Sequence, residues 1–396
     1  MSSQKFSRNE SVYFYALVAI GLLFALFGFL AMHAMEEHGH IITGMNNQVV
    51  WGTPHVFAIF MIVAASGVLN IGSIGTVFGK TSYKSRTPLA GLLAVSLLAG
   101  GLSVLMLDLG RPDRIIVAAT HFNPTSVFAW NIFLYSGFFG FAAVYLWTIM
   151  QKHLNMWSKP AGLLMFAWRV ILTSGTGFIF AFLAARQAYA SALLPPLFIV
   201  LSFAWGMAVF LIAQASMFAW NCTAVDATML KRMKNLLGTF VISSLYLVAA
   251  YHMTNLYFAK QTAFEMFFLR DGGVYPQVFW IGYVIIGSLL PMVLLYLPGF
   301  GGAKSVVAAS VLVIMGSFAF LYSFIIGGQA FPLSIFPGYE VSSTFGDGQI
   351  AHYAPSVPEI FLGLGGLAVA YLIALVSNRV LNTFPHDAAV ASKNDD

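Results

Sequence analysis

Ten stretches of this 396-residue chain are apolar enough, and about long enough, to cross a lipid bilayer. They fall at about 12–32, 54–78, 88–107, 126–150, 161–185, 195–219, 236–258, 277–297, 304–326 and 356–376. A spanning helix needs about 20 apolar residues. Lipid offers no hydrogen-bond partner to the backbone, so each span must be helical. Composition agrees: 59% of residues are hydrophobic, 8% are charged and the mean hydropathy is +0.82, whereas soluble domains carry roughly 25% charged residues. The expected fold is an all-α integral membrane protein with about ten transmembrane helices. The run from Val12 to Met32 exceeds a secretory core of roughly 7–15 residues and reads as a retained first helix.

The nineteen Lys and Arg residues give an expected orientation. Thirteen fall on one side: Lys5, Arg8, Lys80, Lys84, Arg86, Lys152, Lys159, Lys231, Arg232, Lys234, Lys304, Arg379 and Lys393. Five fall on the other, namely Arg111, Arg114, Arg186, Lys260 and Arg270, and Arg169 alone lies within a span. The positive-inside rule then places both termini on the cytoplasmic side, as an even number of spans requires. The net charge of +5 reflects these loops and is no sign of nucleic acid. The longest outer loop is about 327–355, so no large soluble domain exists on either side, and any soluble redox domain must be a separate subunit.

Cys222 is the single cysteine. It rules out an internal disulfide, a Cys-ligated iron–sulfur cluster within the chain and a C-x-x-C-H haem site. A bis-His haem b needs two facing histidines in the membrane. Of nine histidines only His55 and His252 lie within spans, with His33 at the outer rim; one outer haem is conceivable, two are not.

Ionisable residues at membrane depth are costly and are functional candidates by default. Most here sit toward the expected outer face: His55 opening the second span, Asp108 and Arg111 closing the third, His121, Asn123 and Ser126 leading into the fourth, and Asn131 and Tyr135 a turn or two deeper. Arg186 and Gln187 close the fifth span, His252 and Asn255 lie in the outer part of the seventh, and Glu359 opens the tenth. Plainer readings stand beside these. Asp108 and Arg111 could be helix punctuation with a local ion pair; His55, an interfacial histidine bonded to backbone; the asparagines, interhelical glue; Tyr135, an aromatic-belt residue; and Glu359, an acid favoured by the helix dipole. Together, His, Asp, Arg and Tyr around an apolar outer pocket suit a quinone. Each quinone oxygen needs a hydrogen-bond partner, and quinol oxidation releases two protons that a His or Asp can accept. Arg169, followed by Thr173-Ser174-Gly175-Thr176-Gly177, is either a snorkelling cation or part of a polar path from the cytoplasm. Thr173, Thr176 and Glu359 complete that candidate proton path. The small residues from Ala64 to Gly75, with Asn70 among them, point to close helix packing.

The stretches Trp51-Gly52, Asp108-Leu109-Gly110-Arg111-Pro112, Phe122-Asn123-Pro124-Thr125-Ser126 and Tyr353-Ala354-Pro355-Ser356-Val357-Pro358-Glu359 resemble the NrfD/polysulfide reductase membrane-subunit family, over about 50–380. The ten-helix branch, which includes the membrane subunits of hydrogenase-2-type complexes and DsrP of the sulfite-reduction-associated Dsr complex, fits best. The resemblance implies two four-helix bundles plus flanking helices. Residues 1–53 would hold the first helix and outer loop, 54–185 the first bundle with the quinone site, 195–326 the second bundle, and 327–396 an outer loop, the last helix and a cytoplasmic tail. It implies a quinone-reactive subunit in the inner (cytoplasmic) membrane, free of haem and clusters, serving menaquinone or ubiquinone. An extracytoplasmic ferredoxin-like iron–sulfur subunit would dock on the outer face, with further redox subunits beyond it. Carried over by position, His55, Asp108, Arg111 and Tyr135 match the family's quinone site; His55 and Asp108 are the catalytic candidates, and His121, from the outer polar cluster, joins Arg111 and Tyr135 as a candidate quinone contact. A secondary transporter with a midplane site, or a haem b cytochrome, is the alternative reading.

Overall fold

A computed structural model describes residues 8–333, 348–381 and 383–385; Lys5, Lys393 and much of the long loop at about 327–355 lie outside the described residues. Ten of its helices are long and apolar enough to cross a membrane. We number these α1 (Arg8–His38), α2 (Thr53–Thr76), α3 (Thr87–Leu107), α4 (Val127–Met150), α5 (Ser158–Ala181), α6 (Leu194–Trp220), α7 (Ala227–Tyr257), α8 (Val274–Tyr296), α9 (Ala303–Ala330) and α10 (Val357–Leu381). The chain is an integral, multi-pass, all-helical membrane protein, and no strand occurs among the described residues.

α2 is the axis of the molecule. It packs against α3, α5, α6 and α10, and almost all of its residues are buried. Small residues make this possible. A Cβ added at Gly67 would stand 1.6 Å from the Ser202 carbonyl oxygen, and one at Gly206 2.2 Å from the Gly67 carbonyl carbon. The α2 and α6 backbones therefore cross in near contact, as the small-residue run at 64–75 implied. α4 and α5 pack on each other beside α2 and α3, α7 and α9 pack on α6, and α8 packs on α9 and touches α7. α10 lies against α2 and α3, and α1 sits outside it, meeting it where Gly28 faces Gly365.

Some local structure departs from plain spans. α5 stops at Ala181, short of the expected 185, because residues 182–193 turn back to bring Arg186 under the pocket loop. α8 is π-helical across Val278–Leu289, and α9 becomes π-helical at Tyr322–Gly327. A short helix at Ala259–Met266 and a π-turn at Phe267–Asp271 join α7 to α8. Single π-turns recur at functional sites, and apolar periodicity carries no sign of them.

Candidate functional site

The start of α2, the end of α3 and the start of α10 meet at one end of the molecule. The Trp51-Gly52-Thr53-Pro54-His55 segment launches α2, with Pro54 in its first turn, where the missing N–H costs nothing. The first N–H of α2, on Thr53, donates to the Tyr353 hydroxyl at 2.7 Å, and the Thr53 hydroxyl lies 2.8 Å from the same oxygen. Tyr353 in turn donates to Glu359 Oε1 at 2.6 Å. Burial and the Glu359 carboxylate push the Tyr353 phenol well up, so it stays a donor. Gly52 is required by space: a Cβ there would lie 2.2 Å from Glu359 Oε1.

α3 ends at Leu107, and the next residue, Asp108, turns inward and is largely buried. Its Oδ2 stands 3.2 Å from His55 Nδ1, within ion-pair range but off the line of a hydrogen bond, and its buried Oδ1 has no hydrogen-bond partner among the described residues. Burial, with a smaller push from Glu359, raises the Asp108 carboxyl to about 7. The His55 ring stacks on Trp51 with centroids 6.0 Å apart, and Trp51 packs edge-on against Phe180 of α5 at 5.6 Å.

These residues open into a cavity of about 510 Å³. Its apolar wall is built by Ile41, Met45, Val50, Trp51, Leu105 and Leu109, and His55 and Asp108 face into it beside His40 and Asn46. The loop that supplies Met45 to Trp51 is clasped from the far half of the chain. Gln329 Oε1 accepts from the Val50 and Trp51 N–H groups, and its Nε2 donates to the Trp51 carbonyl. Gln48 Nε2 donates to the Ala330 carbonyl. Arg186 donates to the carbonyls of Gln329 and Gln48 at 3.0 and 2.7 Å. Sequence reasoning noted Arg186, and Tyr353 only within a family-like stretch, but missed Gln48 and Gln329, which act through backbone groups far away in the chain.

The other candidates stand elsewhere. Arg111 pairs with Asp113 rather than Asp108, and both side chains are mostly exposed. His121 is exposed and hydrogen-bonds the neighbouring Thr120 hydroxyl. Asn123 closes a local turn by accepting from the Thr125 N–H and hydroxyl, which aims the start of α4. Tyr135 lies within hydrogen-bonding reach of Thr176 between α4 and α5, outside the cavity lining. Glu359 is fully buried and fully used. Its Oε2 accepts from the Gly44 and Ser356 N–H groups, and Ser356 Oγ accepts from its own N–H. The Ser356-Val357-Pro358-Glu359 stretch is thus a capping box.

Arg169 does not snorkel; it is 1% exposed near the middle of α5. Nη1 donates to the Ser66 carbonyl at 3.0 Å and Nη2 to Asn70 Oδ1 at 2.8 Å, and the guanidinium lies 4.8 Å from the Phe166 ring centroid. Thr173, one turn on, bonds the Ser66 hydroxyl at 2.6 Å. Thr176 follows, and then Phe180, the ring that touches Trp51.

A cavity with an apolar wall, a partly buried histidine and a buried carboxylate lies at one end of a ten-helix membrane scaffold, an arrangement that suits an amphipathic ligand carrying a polar ring. The chain belongs to the polysulphide reductase NrfD family, whose pattern matches residues 41–333. It is 29% identical to an Hdr-like menaquinol oxidoreductase integral membrane subunit of Archaeoglobus fulgidus, over 96% of each chain. It is 26% identical to a putative dimethyl sulfoxide reductase membrane subunit of Halobacterium salinarum, over 91% of this chain and 90% of that one. It is 21% identical to a selenate reductase subunit of Mesobacillus selenatarsenatis, over 91% and 92%.

Proposed function

We propose that this chain is the quinone-reactive membrane subunit of a multi-subunit redox complex, exchanging electrons between the quinone pool and an iron–sulfur subunit docked at the pocket end. The observation that carries the reading is the His55–Asp108 pair, a buried carboxylate beside a partly exposed imidazole, at the mouth of a cavity of about 510 Å³ with an apolar wall. Small-molecule sites run from roughly 300 to 1,000 Å³, so a quinone ring fits. The orphaned Asp108 Oδ1 is the kind of buried polar atom that a ligand hydroxyl satisfies.

Quinol oxidation delivers two electrons and two protons. His55 and Asp108 hold the ring's oxygen and take up a proton from it, because an ionised Asp108 lacks a donor at Oδ1. Trp51 supplies a flat apolar face, and the clasp of Gln48, Gln329 and Arg186 keeps that face in place. Family membership and the similarity to a menaquinol oxidoreductase subunit support menaquinone as the quinone and further redox subunits as partners. The loop charges support a pocket on the extracytoplasmic face of the inner membrane with both termini inside. We read α2–α5 and α6–α9 as the two bundles.

The test is quinol-linked turnover of the purified complex. Asp108→Asn and His55→Ala should each abolish most of it while the complex stays assembled. Unchanged turnover in both would remove the site.

A further inference from the structure

Outside the pocket, the second half of the chain buries a histidine–carboxylate pair that quinone chemistry does not use. We propose that His252, Glu265 and Asn255 form a proton-carrying site, loaded at His252 Nε2, that moves a proton across the membrane while quinol is oxidised at the pocket; this rests on the quinone reading above.

Glu265 is 0% exposed, Asn255 1% and His252 6%. Glu265 follows α7 on the short Ala259–Met266 helix, which folds back onto the last turns of α7, where His252 and Asn255 stand. Both of its oxygens are occupied: His252 Nδ1 lies 2.8 Å from Oε2, and Asn255 Nδ2 donates to Oε1 at 2.7 Å. That arrangement suits an ionised carboxylate, and it fixes the histidine proton on Nδ1. The basic atom left is Nε2, which is buried with no hydrogen-bond partner among the described residues.

A purely structural pair has no need of that atom. A buried unsatisfied nitrogen costs about 1–3 kcal/mol, and a buried ion pair is often replaceable by apolar residues without loss. With Nε2 empty the cluster carries one net negative charge against the Phe268 ring, stacked on His252 at 5.0 Å, and the Phe279 ring at the same distance. With Nε2 protonated the cluster is neutral. Proton uptake therefore removes a charge from an apolar wall, and no heavy-atom bond or electron is involved. Among the described residues, Tyr251 is the titratable group set against the pair, and its hydroxyl is committed to the Ala188 carbonyl; Arg270 and Asp271 pair with each other at the surface.

Two features suit movement rather than rigidity. Phe268 and Phe279 both lie on π-helical segments, a geometry enriched at functional sites. Deeper along α8, Tyr283 stacks on Phe279, its buried hydroxyl has no hydrogen-bond partner among the described residues, and Ser288 Oγ donates to its carbonyl, so polar groups lie beyond the pair on the side away from the pocket. A line of ring contacts also joins the pair to the quinone pocket: Tyr251 to Phe324 at 6.4 Å, Phe324 to Phe180 at 5.2 Å, and Phe180 to Trp51 at 5.6 Å. Each cycle takes one proton from the side opposite the pocket onto Nε2 and releases it on the pocket side.

The experiment places the intact complex in sealed vesicles with quinol and ferricyanide and counts protons released on the pocket side per electron. Quinol chemistry alone supplies one proton per electron. The wild-type complex should exceed that ratio, and His252→Gln and Glu265→Gln should keep electron transfer and lose the excess. A wild-type ratio with no excess, or variants that retain it, would overturn the proposal. If neither variant assembles, Glu265→Asp, which draws the carboxylate back by one methylene, should reduce the excess; an unchanged excess overturns it equally. A complex that does not oxidise quinol at all sinks the quinone reading, whereas quinol oxidation without excess protons sinks this inference alone.

Discussion

His55 Nδ1 stands 3.2 Å from Asp108 Oδ2 across the gap between the first turn of α2 and the residue that follows α3. The two residues are far apart in sequence but share one end of the membrane, because the chain crosses and returns between them. Asp108 is more buried than His55, whose side chain is 20% exposed. The carboxylate is thus the sheltered partner and the imidazole the one at the cavity mouth.

That shelter sets a pH dependence. The Asp108 carboxyl is raised to about 7, first by burial and then by Glu359. Below that pH Asp108 is protonated and cannot take a proton from quinol; above it the carboxylate can. Turnover in the quinol-oxidising direction should therefore rise as pH increases through about 7. Asp108→Asn should lack that limb and stay slow throughout. A pH–rate profile of the purified complex measures both.

Arg186 should act on binding rather than on chemistry. It reaches no cavity atom but holds the carbonyls of Gln48 and Gln329, and so the loop carrying Trp51. Arg186→Ala leaves those half-buried carbonyls short of donors, at a cost of about 1–3 kcal/mol, and lets the Trp51 wall move. The expected result is a raised KM for quinol with a smaller fall in kcat, together with a lower melting temperature in detergent.

Arg169 should resist conservative replacement. Its guanidinium serves two acceptors in different directions, the Ser66 carbonyl and Asn70 Oδ1, while lying over Phe166. Lysine keeps the charge but not the planar fork. Arg169→Lys should lower stability by about 1.5–3 kcal/mol, the range for hydrogen bonds to charged groups. Thermal denaturation in detergent reads this. A variant as stable as the wild type would mean that the two directed bonds contribute nothing.

The sequence disclosed the spans because apolar runs must exceed a fixed length in lipid, and it disclosed His55 and Asp108 because both sit at span ends where charge is costly. The small residues around Gly67 signalled close packing of α2, but only the structure shows that the partner is α6. Arg111 illustrates what sequence could not decide: its spacing permits a bond to Asp108 or to Asp113, and only the turn after α3 selects Asp113. Glu265 was invisible for a related reason. It lies in a polar connection that reads as loop, and only the fold-back of the short helix after α7 buries it against His252. The π-helical stretches in α8 and α9 shift hydrogen-bond register without altering the apolar pattern, so nothing in the pattern reports them.

Glu359 provides the sharpest separation between a structural acid and a proton carrier. Both of its oxygens are committed, to Tyr353, Gly44 and Ser356, so it acts first as the cap of α10. Its charge nevertheless reaches Asp108 and helps to raise that carboxyl. In Glu359→Gln the cap is weakened, and stability should fall by about 0.5–2 kcal/mol. Removing the negative neighbour makes Asp108 easier to ionise, so the rising limb of the pH–rate profile should move to lower pH while turnover persists. A proton carrier at Glu359 predicts the opposite pattern, with turnover or proton release lost and the limb unmoved. Melting curves and pH–rate profiles of the same preparation distinguish the two.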